Sequence, residues 1–176
     1  MEPTEDHKTM VLRENHLTFV KMYLGYSLKV LIRAGFTTDG ASVPSSLTSG
    51  EYKTELDKIV SHEYPDVGTR WDLENLIAYL VGTPWDMPRL LAAIVHDALY
   101  SIKWMWRWAC DQIYRKVLAE NGYDIKRIAI EYECIRLAGW RNWNAISKKE
   151  VEKSKALIDA EFVRTKNIPD IILGLR

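Results

Sequence analysis

Excess charge is the first thing this sequence lacks. Its 176 residues carry 24 Lys and Arg against 24 Asp and Glu, a formal net charge of zero at pH 7. Such a chain has no global attraction for a phosphate backbone or an anionic membrane, so no nucleic-acid partner is expected. Cysteine is scarce as well. Cys110 and Cys134 stand alone in helical stretches with no C-x-x-C neighbour. Neither a disulfide framework nor a zinc knuckle is implied, and both are expected as buried thiols. Long apolar runs are missing: LIAYLV at 76–81 and LLAAIV at 90–95 fall far short of the roughly 18 residues a spanning helix needs. The opening MEPTEDHKTM is acidic and polar, the opposite of a signal peptide. These absences predict a cytoplasmic protein with no integral membrane segment. There is also no internal repeat and no low-complexity tract.

What is present is an ordinary 47% hydrophobic content with an unusual aromatic balance of seven Trp and nine Tyr against three Phe. The length suits one domain over 1–176, burying about 70% of its extended-chain surface. Residues 1–50 read as a β and loop unit. HLTFVKMYL at 16–24 and YSLKVLIR at 26–33 alternate around Gly25, which predicts a strand pair. The loop AGFTTDGASVPSSLTSG at 34–50 follows, containing TDGASVP. Residues 51–85 read as inserted helices, 86–166 as a helical body, and 167–176 as an apolar tail. Within the body, Asp86 and Pro88 open a helix over 86–101, and a second covers 104–121, stopped by Gly122. Asp124 caps a third over 125–138, stopped by Gly139, and the capping box Ser147/Glu150 opens a fourth over 148–164. The predicted fold class is α+β: a mainly α-helical single domain with a small N-terminal β unit and a central antiparallel helix hairpin.

That hairpin carries the chemistry. His96 and Asp97 fall inside an apolar helix, where an unpaired ion costs several kcal/mol, so partners are expected. Positions 96 and 111 are equidistant from a turn centred between residues 103 and 104, which places His96 opposite Asp111. A carboxylate there fixes the imidazole tautomer and leaves the other ring nitrogen to take a proton from water. Asp97 points about 100° away, toward a cation or a loop N–H. Tyr100 and Tyr114 lie within a turn of the dyad, and Arg107, four residues before Asp111, is placed to neutralise it. In the loop, Asp39-Gly40 reads as a tight turn, and Asp39 with the Ser42 hydroxyl can be delivered to the helix pair. Ser42 has no G-x-S-x-G elbow, which argues against a Ser-His-Asp hydrolase. The same residues also fit a satisfied polar core, an i, i+4 ion pair and a structural turn. Trp104 and Trp108 share a helix face with Trp106 opposite, and either Trp106 or Trp143 suits a recognition surface.

The set GFTTDGASVP, AAIVHDALY, R-x-x-x-D and Gly139-Trp140 resembles the bacteriophage and prophage family called domain of unknown function 1353, over about residues 30–143. Its motif positions fall on Asp39, Ser42, Pro44, His96, Asp97, Tyr100, Arg107 and Asp111. The resemblance implies a phage-type protein in an infected or lysogenic host and supplies a context rather than a reaction; the residues themselves leave open a small hydrolase or a non-enzymatic protein that binds a host or virion partner. HD-x-x-Y followed by an antiparallel Asp is also similar to the secreted and parvovirus-type phospholipases. That likeness implies His96 as base, Asp111 as its orienter and Asp97 as a calcium ligand, with the Asp39-Gly40 turn in place of a calcium loop; a divalent cation, calcium or magnesium, held by Asp97 and Asp39 is the corresponding expectation. A third resemblance, to the HD-type metal phosphohydrolases, reads His62, His96-Asp97 and Asp159 as ligands.

Overall fold

The computed structural model describes residues 2–3, 10–38 and 87–168. The expectations placed on Asp39, Ser42, Pro44, His62, the 51–85 helices, Asp86 and the end of the tail lie outside the described residues. The described elements form an α+β fold that is mainly helical, and none of their helices is long and apolar enough to cross a membrane.

Strands β1 (Glu2–Pro3), β2 (Met10–Val11), β3 (His16–Lys21), β4 (Tyr26–Ile32) and β5 (Thr37–Thr38) come first. β3 and β4 form the expected hairpin, with His16 opposite Ile32 and Lys21 opposite Ser27. Leu24 and Gly25 both take positive φ, 59° and 76°, the signature of a type I′ turn whose twist matches the strands. Alternation puts Leu28, Val30 and Ile32 on one face, all fully buried. A second small sheet has the order β1-β2-β5, with Met10 opposite Thr38. It carries Thr38 up to the helices.

Helix α1 (Met87–Ile102) is nearly continuous in its apolar residues, and Ala92, Ala93, Ala98 and Leu99 are buried. Its end is a Schellman motif: Lys103 N–H donates to Tyr100 O (3.1 Å) and Trp104 N–H to Leu99 O (3.4 Å). Lys103 takes the left-handed position, φ 45°. That turn corrects the expected start of the next helix. α2 spans Arg107–Glu120, because Trp106 is extended at its N-cap and the three residues before it complete the reversal. Gly122 stops α2 as expected, with Tyr123 N–H returning to Leu118 O at 3.1 Å.

Asp124 caps α3, accepting from Lys126 N and Arg127 N at 3.1 Å each. Gly139 does not stop it: α3 runs over Ile125–Ala145. The Ser147/Glu150 capping box is present and opens α4, Lys148–Lys155. The expected helix over 148–164 ends there, and Ile158–Arg164 is strand β6. Ile158, Ala160 and Phe162 alternate along it and lie opposite Ile32, Val30 and Leu28. β4 has a second edge to satisfy, and this β-branched and aromatic segment completes the order β3-β4-β6. The β unit is therefore built from both ends of the sequence.

Candidate functional site

Side chains from α1 and α3 converge on Asp111 of α2, which has no solvent exposure. Its Oδ1 accepts from His96 Nε2 at 3.0 Å and from the Tyr100 hydroxyl at 2.5 Å. Its Oδ2 accepts from Arg136 Nη1 at 2.6 Å. The antiparallel register of α1 and α2 thus makes the expected His96–Asp111 pair. Burial pushes the Asp111 carboxyl toward protonation, but the bonds from His96, Tyr100 and Arg136 outweigh it and hold its pKa below 3.8.

An ionised Asp111 can only accept, so the proton on the shared bond belongs to His96 Nε2. In the neutral ring the lone pair then sits on Nδ1. Nδ1 faces Asp97 Oδ1 at 3.8 Å, an electrostatic contact beyond hydrogen-bonding range. Burial disfavours the imidazolium, yet Asp111 and Asp97 together raise the His96 pKa above 6.5. Asp97 points outward, its side chain 28% exposed. Its Oδ2 accepts from the Thr38 hydroxyl at 2.5 Å. So the loop-ward partner of the pair is a side-chain hydroxyl at the end of β5, one residue before the expected Asp39.

Tyr100 meets the dyad as expected, and burial followed by the Asp111 charge drives its phenol pKa well up. Tyr114 does not bond Asp111. Its hydroxyl donates to Glu131 Oε2 at 2.6 Å, while its ring stands edge-on to His96 with centroids 5.4 Å apart. Glu131 also pairs with Arg89 at 3.1 Å, both buried. Arg107 sits 3.7 Å from Asp111 Oδ2 and spends its donors on the α3 carbonyls of Ile135 and Arg136. It pairs with Asp111 at i, i+4 as expected and also ties α2 to α3, while Arg136 makes the closer ion pair. Thr38, Arg136 and the Arg89–Glu131 pair escape sequence reasoning, because each reaches its partner across elements whose relative register no spacing reveals. Cys110 and Cys134 are buried thiols, each pushed up to about 12 by burial.

Asp159 lies on β6 and pairs with Arg33 at 2.5 Å. It does not group with His96 and Asp97, since no cluster of three or more His, Cys, Asp or Glu among the described residues is placed to hold a metal ion. A calcium ion takes six to eight oxygens. Beside His96 the described residues offer Asp97, one of whose oxygens is taken by Thr38. They do not by themselves fit a divalent cation, and Asp39, the other expected ligand, lies outside the described residues. Among the tryptophans, Trp106 and Trp108 are 87% and 58% exposed, whereas Trp143 packs edge-on against Tyr100 at 5.0 Å.

Fold and site together define a mainly helical α+β protein with a buried His–Asp dyad slung between antiparallel helices. Comparison with protein-family models, with curated proteins and with solved structures finds no match to this chain.

Proposed function

We propose that this protein is a small phage-type hydrolase that uses His96 as a general base, acting inside an infected or lysogenic bacterial cell. The observation that supports this most is the His96–Asp111 bond, 3.0 Å from Nε2 to Oδ1. Asp111 takes the Nε2–H, so Nδ1 is left as a base on the side of the outward-facing Asp97. Neutral His96 would accept a proton from water as the water oxygen attacks an ester carbonyl or phosphoryl centre. The imidazolium so formed is flanked by Asp111 and Asp97, and it returns the proton to the departing alcohol. Asp111 orients the ring and Tyr100 and Arg136 hold Asp111.

The test is hydrolysis of p-nitrophenyl carboxylic esters and of bis(p-nitrophenyl) phosphate by the purified chain. His96→Gln should lower the rate by about 10²–10⁴-fold without changing the thermal midpoint by more than a few degrees. A wild-type rate equal to buffer, or an unaffected variant, removes the hydrolase reading.

Exposure of Trp106 and Trp108 favours a second reading, in which the protein binds a host or virion protein and catalyses nothing. Large aromatics at an open surface are the usual anchors of protein interfaces. On that reading Trp106→Ala and Trp108→Ala abolish phage-related activity while His96→Gln preserves it.

A further inference from the structure

Gly139 stands in the interior of a 21-residue helix, where glycine is among the poorest residues, ahead only of proline. Backbone conformation does not require it there. The described glycines with positive φ are Gly25, Gly35 and Gly122, and Gly139 is ordinary helix. What requires it is space. A Cβ at this position would lie 3.0 Å from the Tyr100 hydroxyl oxygen and 3.5 Å from Arg107 Nη1. The first distance is too short for comfort, so the hydroxyl would have to give way.

The hydroxyl has little room to do so. It donates to Asp111 Oδ1 at 2.5 Å. Its ring lies 4.0 Å from the His96 ring on one side and 5.0 Å from Trp143 on another. Arg136, Gly139 and Trp143 follow one another at i, i+3 and i+7, which is one face of α3. All three address the same pair: Arg136 bonds Asp111, Gly139 makes room for the hydroxyl of Tyr100, and Trp143 backs its ring.

We propose that Gly139 is a positioning residue, whose missing side chain lets the Tyr100 hydroxyl lie on Asp111 and thereby fixes the carboxylate that orients His96. Its weight in catalysis rests on the hydrolase reading above, but the way it holds the dyad does not. The test is therefore a cycle of full-length variants read without any substrate.

Gly139→Ala in the wild-type background should lower the melting temperature by about 2–4 °C, although alanine is the better helix former. In a Tyr100→Phe background, where the hydroxyl is gone, the same substitution should raise it by a similar amount. The His96 Nε2–H resonance in ¹H–¹⁵N spectra should move in Gly139→Ala, in the direction set by Tyr100→Phe. That signature is read on the single variant, so it holds even if Tyr100→Phe folds poorly. A melting shift of the same sign in both backgrounds overturns the proposal, as does an unmoved His96 resonance in Gly139→Ala. Loss of the hydrolase reading with the sign reversal intact would leave Gly139 as the residue that seats Tyr100.

Discussion

Asp111 and His96 shift each other's titration in opposite directions, the carboxyl downward and the imidazole upward. Burial works against charge on both. The bonds from His96, Tyr100 and Arg136 nevertheless keep Asp111 ionised below its ordinary 3.8, so its stabilisation is full above that value and is lost as pH falls through the lower folded one. His96 is raised above its ordinary 6.5, so its stabilisation is full below 6.5 and is lost as pH rises through the higher folded value. A general base must be neutral. Hydrolysis should therefore climb with pH above 6.5 over the same interval in which denaturant stability declines. Parallel urea titrations and rate profiles check this, and a rate that falls across that interval contradicts His96 as base. The pair itself was legible, because equal spacing from a turn places two residues opposite in an antiparallel hairpin. Arg136 was not: the i, i+4 rule favours Arg107, which sits within its own helix, and nothing in the spacing reveals which face α3 presents.

Turns and helix ends show how far local chemistry reads through. Asp124, Gly122 and the Ser147/Glu150 box do what their residue types dictate. Two elements do not follow local rules. Gly139 reads as a stop, but it lies in mid-helix where an added Cβ would crowd the Tyr100 hydroxyl. IDAEFVR reads as a continued helix, but a free strand edge recruits it. At the β3–β4 turn, Leu24 holds φ 59° while 94% exposed. A left-handed backbone costs an L residue about 1–2 kcal/mol, and asparagine tolerates it better. Leu24→Asn should raise the unfolding free energy by about 1 kcal/mol. Guanidinium denaturation measures it, and an unchanged or lower midpoint would mean the turn is relaxed as it stands.

For the whole molecule the fold class was legible from patterning, while the closure of the sheet was not, since strand pairing over long separation leaves no local mark. β6 covers one edge of β4 and seats Ile158 in the core. A chain ending at Lys155 should lose the cooperative thermal transition seen by circular dichroism, and a retained sharp transition would show that the helices alone sustain the fold. Lys29 and Glu161 meet across 132 residues of sequence. At 5–20 residues per second, synthesis of that interval takes on the order of ten seconds. Throughout it the nascent hairpin waits with one hydrophobic edge unpaired, a template for any neighbouring strand. Yield in the cell should thus depend on the rate of translation and on chaperones that shield that edge until Ile158 has emerged.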